Sequence, residues 1–488
     1  MEDLTVTTTA GAIRGEKHDG VRCWMGVPYA RVERFAAPKA VEPWDGVRDA
    51  VKAGSQCPQM YGNNARRAML AAPEFAEDCL SLNVYVPEGG ADQGRKPVYV
   101  WIHGGAFVVG CGSAYDGTEM ARNGDIVVVT INYRVGVLGF VNFGEVLGLP
   151  DIPSNLGLRD QIAALEWVRD NIAAFGGDPD RVTIGGQSAG SMSVSLLLHA
   201  QSAWPLFRGA IMQSGAISLI HSREMSRRIA RRFAEILGLD QGSLAALKAM
   251  DLKRLFEAQG QVGAEHPGTI PAAPWFDGDL LPASLEEAHA TPAAPVPLIA
   301  GAARDEIRLF ELMPGDILPT KWPELEALLQ KQLGAEHAAR VLAAYPRTKA
   351  GRRALATDLT FLMPTRNFAE RHARDNPTWF YRFDYSHPIA GATHGLDLTV
   401  TWPMKTFRAT LARGGPMRGK RAELGGRMTG HYAHFVRHGA PGAGWPAYAP
   451  ERRPVMIFNF EDRIEADPEA ARFAAWGGRD AGPGIIEG

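Results

Sequence analysis

The sequence is poor in several features that would each have pointed to a different class of protein. Among 488 residues there are four cysteines, Cys23, Cys57, Cys79 and Cys111. None form a C-x-x-C pair, and no His/Cys group has the spacing of metal ligands, so neither a zinc site nor any other metal is expected. An excess of one charge is also missing, with 52 Lys and Arg against 54 Asp and Glu. That balance gives no electrostatic reason to expect nucleic acid or an anionic membrane as a partner. No apolar run reaches the ~18 residues that span a bilayer. The opening stretch, MEDLTVTTTAGAIRGEKHDGVRCW, has no basic segment followed by an apolar core, so a cytoplasmic location is expected. Internal repeats, low-complexity tracts and Pro- or Ser-rich linkers are absent too. The whole of 1–488 is therefore expected to form a single domain.

What is present has the composition of an ordinary globular protein, 45% hydrophobic and 22% charged. Short alternating strands over residues 4–30 predict a small N-terminal antiparallel sheet, within about residues 1–30. Further strands are expected at 80–86, 96–102, 126–131, 182–184, 210–213, 297–301 and 379–385. Apolar residues recur at helical spacing over 157–175, 225–237, 322–345, 359–375 and 424–438. This alternation predicts an α/β fold: one large central, mostly parallel sheet flanked by helices. Arg227, Arg228, Arg231 and Arg232 read as a solvated helix face balanced by nearby acids.

One stretch organises the rest. Val182-Thr183-Ile184 runs into Gly185-Gly186-Gln187-Ser188-Ala189-Gly190, and an apolar, helix-like segment follows. This is G-x-S-x-G between a strand and a helix. A serine on so sharp a turn has a strained backbone that bulky neighbours would obstruct. The turn aims the Ala189 N–H, at a helix N-terminus, toward a developing oxyanion. Acyl transfer on a serine also needs a base, a carboxylate to orient it and further oxyanion donors. His103-Gly104-Gly105-Ala106 follows a strand and offers the Gly104 and Gly105 N–H groups. After the strand at 297–301, Asp305 and Glu306 both qualify as the acid, while Glu311 lies deeper in a helix. His387 and His394 lie in the loop after the strand at 379–385, where the base belongs. His394, between Thr393 and Gly395, is the better placed. His337, His372, His431, His434 and His438 sit within helices and read as surface or core histidines.

Along nearly its whole length the chain resembles the type-B carboxylesterase/cholinesterase family of α/β-hydrolases. The blocks that carry the likeness are Met25-Gly26-Val27-Pro28-Tyr29-Ala30, Glu77-Asp78-Cys79-Leu80-Ser81-Leu82-Asn83-Val84, Trp101 to Phe107, Asn132-Tyr133-Arg134, Asn155 to Gln161, Phe175 to Pro179, Gln213-Ser214-Gly215, Gly439-Ala440-Pro441 and Trp445 to Tyr448. The resemblance implies an α/β-hydrolase fold, with a helical insertion over about 310–375 near an active-site gorge. It implies a serine carboxylesterase that works without cofactor on small-molecule esters. The sequence leaves the oligomeric state open, with a monomer the favoured expectation. The family's D-E-G block falls on Asp305-Glu306-Ile307 and selects Glu306. Its H-G/A-x-E-L block falls on His394 to Leu398 and selects His394. Amide or carbamate hydrolysis on the same triad is the alternative, and a non-catalytic interaction scaffold a more distant one.

The departures from the family pattern are specific. Gln187 stands where the family has glutamate, and Asp397 stands where it has glutamate three residues after the histidine. Both belong to one buried polar cluster behind the triad in the family. Gln187 brings no charge to the histidinium of the transition state, so activity is expected to persist to lower pH than with two carboxylates. The family's first disulfide falls on Cys57 and Cys79, and would contribute roughly 3 kcal/mol across its loop, although a cytoplasmic location argues against it. Phe107, Ile270, Ala272 and Trp402 are candidates for the substrate pocket, with core packing as the alternative for Phe107 and Trp402. Cys111, just past the oxyanion loop, reads first as a packed thiol, with a place near the gorge as the alternative.

Overall fold

The computed structural model describes residues 4–60, 74–88, 94–313, 317–402 and 418–484. Its strands in chain order are β1 (Thr5–Thr7), β2 (Ala12–Arg14), β3 (Glu16–His18), β4 (Val21–Pro28), β5 (Val47–Asp49), β6 (Ser81–Pro87) and β7 (Lys96–Ile102), followed by β8 (Val127–Ile131), β9 (Gly177–Gln187), β10 (Gly209–Gln213), β11 (Leu298–Ala303), β12 (Thr378–Phe383), β13 (Pro454–Phe458) and β14 (Arg463–Ala466). Eleven of them form one sheet in the order β14-β13-β12-β11-β10-β9-β7-β8-β6-β4-β3. The strands from β8 through β7 and β9 to β13 are mutually parallel. Antiparallel strands extend the sheet at both ends.

The central strands are buried on both faces, which is why β7 and β8 read as near-continuous apolar runs. Along β7 the pleat divides the core. Val98, Val100 and Ile102 join one apolar cluster, and Tyr99 and Trp101 join the other. The first face is covered by the helices Leu156–Asn171 and Ala189–Leu197, and the second by Arg418–His438.

The small N-terminal sheet differs from the expectation. It holds β1, β2 and β5, with β1–β2 antiparallel and β2–β5 parallel. β4 instead pairs with β6, and β3 with β4, so both extend the large sheet. Alternation marks a strand but not the sheet it joins. The helix expected over 322–345 is broken into Trp322–Leu333 and Ala335–Ala343 by Gly334, whose φ of +79° ends the first helix. The helix at 359–375 is preceded by Lys349–Thr357 and a π-helical turn over Asp358–Leu362, and then runs as Met363–His372.

The disulfide implied by the resemblance is not made. Cys57 and Cys79 are both buried free thiols. Contact with Cys57, ahead of burial, raises the pKa of Cys79 well above the usual thiol value. Cys57 Sγ also accepts the Val135 N–H at 3.4 Å. Among the described residues, no helix is long and apolar enough to cross a membrane.

Candidate active site

Ser188 stands alone between β9, which ends at Gln187, and the helix that begins at Ala189. Its φ of 58° and ψ of −126° lie outside the ordinary regions for an L-residue. Close approach of three chain segments holds it there. A Cβ on Gly186 would come within 2.4 Å of the Gly190 backbone, and one on Gly190 within 2.1 Å of the Ile102 carbonyl. The Ser188 N–H donates to the Gln213 carbonyl at 2.9 Å, tying the turn to β10. The Ala189 N–H, in the first helical turn, has no intrahelical acceptor.

The loop after β7 lies against this turn. A Cβ on Gly104 would meet the Gln187 carbonyl at 2.5 Å and Ser188 Cβ at 3.2 Å. Gly105, Ala106 and Phe107 follow with successive positive φ values of 126°, 54° and 60°. Gly104, Gly105 and Ala106 all line the cavity above Ser188. The Gly104 backbone also sits beside the Tyr115 hydroxyl. His103 braces the loop from below. Burial pushes its pKa down to about 4, so the ring stays neutral; Nδ1 lies 2.9 Å from the Gly104 carbonyl and the ring stacks on Tyr133.

β11 ends at Ala303, and the turn beyond it delivers Glu306, which is fully buried. One carboxylate oxygen accepts the Ala303 N–H at 2.5 Å, and the other lies 2.6 Å from His394 Nδ1. A proton on Nδ1 then leaves a lone pair on Nε2, the tautomer that a general base requires. That Nε2 faces the Gln187 side-chain nitrogen at 3.2 Å, so the amide donates to it. Among the described residues the Ser188 hydroxyl makes no hydrogen bond to the ring; it faces the cavity. Phe310 and Phe361 tilt over the imidazole at 5.3 and 4.5 Å.

The structure thus brings Ser188, Glu306, His394 and Gln187 together with Gly104, Gly105 and Ala189. Asp305 and His387 stay outside: Asp305 sits beside Arg304, and the His387 backbone is bridged to Gly391. Asp397 is buried, but its carboxylate accepts from Gln213 Nε2 and the Leu398 N–H rather than meeting Gln187. Burial first, and the nearby charge of Glu306 second, raise its pKa to about 6.

The cavity over Ser188 and His394 has a volume of about 1050 Å³. Of the four pocket candidates only Ile270 lines it. Phe107 is wholly buried and packs on Phe140. Ala272 lies in the core. Trp402 packs against Trp101 and Tyr115 behind the loop. The walls come from residues that the sequence reading missed: Tyr115, Leu219, Leu309, Phe310, Met313, Ile317, Leu318 and Phe361. The one available signal was the apolar character of the segments around 309–318 and 359–362.

Comparison with known proteins gives the family and the fold. A family model described as the carboxylesterase family matches residues 2–476. The para-nitrobenzyl esterase of Bacillus subtilis (strain 168) is 37% identical over 97% of this chain and 98% of its own length. The phenmedipham hydrolase of Pseudarthrobacter oxydans is 33% identical over 93% of this chain and 94% of its own. The solved structure of a thermophilic PNB esterase superposes with a TM-score of 0.88 at 35% identity, covering 97% of this chain and all of that one. The fold is that of the α/β-hydrolases, and the protein is a carboxylic-ester hydrolase. Within that class the chain belongs to the carboxylesterase family.

Proposed function

We propose that the protein hydrolyses small-molecule carboxylic esters through Ser188, His394 and Glu306, by way of an acyl-enzyme. His394 Nε2 takes the Ser188 proton as Oγ attacks the ester carbonyl. Glu306, at 2.6 Å from Nδ1, holds the ring in the required tautomer and offsets the imidazolium charge. Backbone N–H groups stabilise the oxyanion: Ala189 from the helix, and Gly104 and Gly105 from the loop, with Ala106 the next N–H of the same turn. The alcohol leaves with the proton from His394, and water then repeats the sequence on the acyl-enzyme.

Gln187 sets the starting state. Its amide occupies the lone pair on Nε2 that Ser188 must use. The contact has to pass to the hydroxyl before attack, in keeping with catalytic hydrogen bonds that tighten only with substrate bound. Once Nε2 is protonated, the same amide can turn its carbonyl oxygen toward the N–H, but it offers no charge.

The single observation that carries this reading is the short Glu306–His394 contact beside a serine held at positive φ. Turnover of 4-nitrophenyl butanoate and labelling by a fluorophosphonate test it. Ser188→Ala is expected to abolish both while leaving the circular-dichroism spectrum unchanged. Label retained in Ser188→Ala would place the nucleophile elsewhere.

A further inference from the structure

We propose that His434 and His438 form a binding site for a divalent transition metal ion of the zinc, nickel and copper class. Neither residue lines the cavity over Ser188. The two lie four residues apart in the last two turns of the helix Arg418–His438, and so share one face of it. As sequence they read as two separate histidines of a helix. Four-residue spacing becomes ligand spacing only when the segment is helical, because one turn then brings the two side chains side by side.

Their ring centres are 4.4 Å apart and the ring planes cross at 50°. Two imidazoles that share one ion, with N–metal bonds of about 2.0–2.1 Å, have ring centres roughly 4.5–5 Å apart. The pair is therefore close to a chelating arrangement without any shift of the backbone. His434 is also fixed in the tautomer that a ligand needs. Its Nδ1 lies 2.8 Å from the Ala440 carbonyl oxygen. A carbonyl only accepts, so Nδ1 carries the proton and Nε2 keeps its lone pair. A backbone carbonyl that holds the second ring nitrogen is the usual outer support of a ligating histidine.

The electrostatics act in both directions. His438 is exposed, and its pKa is lowered by slight desolvation first, then by His434, Arg437 and Arg181. The neutral ring, which is the form that ligates, is favoured by this. The two guanidinium groups also oppose an arriving cation. That repulsion is screened at the surface, and the helix C-terminus supplies charge of the opposite sign. Arg181 is itself engaged, donating to the Arg437 carbonyl at 2.7 Å. His431, one turn earlier, is directed elsewhere, with its ring packed on Trp445 and Phe458. Among the described residues no group of three or more His, Cys, Asp or Glu is placed to hold a metal, so water completes the coordination of this pair. Imidazole nitrogen suits zinc, nickel and copper rather than calcium or magnesium.

Calorimetric titration of the full chain with zinc chloride at pH 7.5 tests the site. The unaltered protein is expected to bind zinc, and His434→Asn and His438→Asn are each expected to weaken that binding by about tenfold or more. Circular dichroism and turnover of 4-nitrophenyl butanoate, both without added metal, are expected to be the same in all three proteins. Equal zinc affinity in the unaltered protein and in either folded variant overturns the proposal, as does a lack of zinc binding to the unaltered protein at millimolar concentration. A second measurement needs no variant. With one equivalent of Cu2+, the electron paramagnetic resonance spectrum of the unaltered protein is expected to show coupling to two imidazole nitrogens, and coupling to fewer overturns the proposal.

Discussion

Asp397 carries a charge problem that its neighbours only partly solve. Its carboxyl is about 1% exposed, and its pKa is raised to about 6. It accepts from Gln213 Nε2 at 3.1 Å, while Gln213 Oε1 has no partner. A turned Gln213 amide would offer that oxygen to a protonated Asp397. Because the folded value lies above the ordinary carboxylate value, the native state binds more protons than the unfolded chain between about pH 4 and 6. This carboxyl's contribution therefore weakens stability as pH rises through that window. Asp397→Asn keeps the shape, can still accept from the Leu398 N–H and can donate to the turned Gln213. It is expected to gain on the order of 2 kcal/mol at pH 7.5 and nothing near pH 4. Denaturant melts of both proteins across that range check this. A gain of equal size at both pH values would point to packing instead.

At the scale of elements, the site is a junction: β7, β9 and the helix Ala189–Leu197 approach so closely that side chains are excluded. Gly190→Ala places a methyl 2.1 Å from the Ile102 carbonyl, where only backbone can give way. A loss of about 3 kcal/mol or more is expected, read as a fall in the thermal midpoint. Little change would mean that the junction is looser than its distances. This junction was the most legible part of the sequence, because glycine spacing and a strand–turn–helix pattern are local properties. Glu306 and His394 needed the chain order of a family as well, since residue type alone left Asp305 and His387 as candidates. The pocket was the least legible. Phe107 and Trp402 lie close in sequence to the catalytic blocks, yet their rings turn into the core. Phe310 and Phe361 come from separate segments that meet only when the sheet brings β11 beside the helices that follow it. Periodicity also hid the π-helical turn that carries Phe361 and the break at Gly334. Both depend on backbone geometry that an apolar pattern does not encode.

Across the whole molecule, some of the blocks that resemble the family join elements to one another. Arg134 and Asp160 form a buried bidentate pair, at 2.8 and 2.7 Å, and Asp160 also accepts the Arg134 N–H. Asn155, in a left-handed conformation, bonds to Asp277 and to the Trp275 backbone. These contacts tie the helix Leu156–Asn171 to the loop after β8 and to the segment beyond the helix Leu252–Glu265. Asp160→Asn strands a buried guanidinium, and a loss of about 3–5 kcal/mol is expected in calorimetry. Survival of the full midpoint would show that the pair is dispensable.

The two ends of the large sheet have a consequence for how molecules meet one another. β3 presents Glu16, Lys17 and His18, with Lys17 paired to Glu88, and β14 presents Arg463 and Glu465 as an ion pair. Such charged, three- and four-residue edges offer a poor template to another strand. A sheet wide enough to carry the site is thereby blunted against growing, copy upon copy, into a fibre.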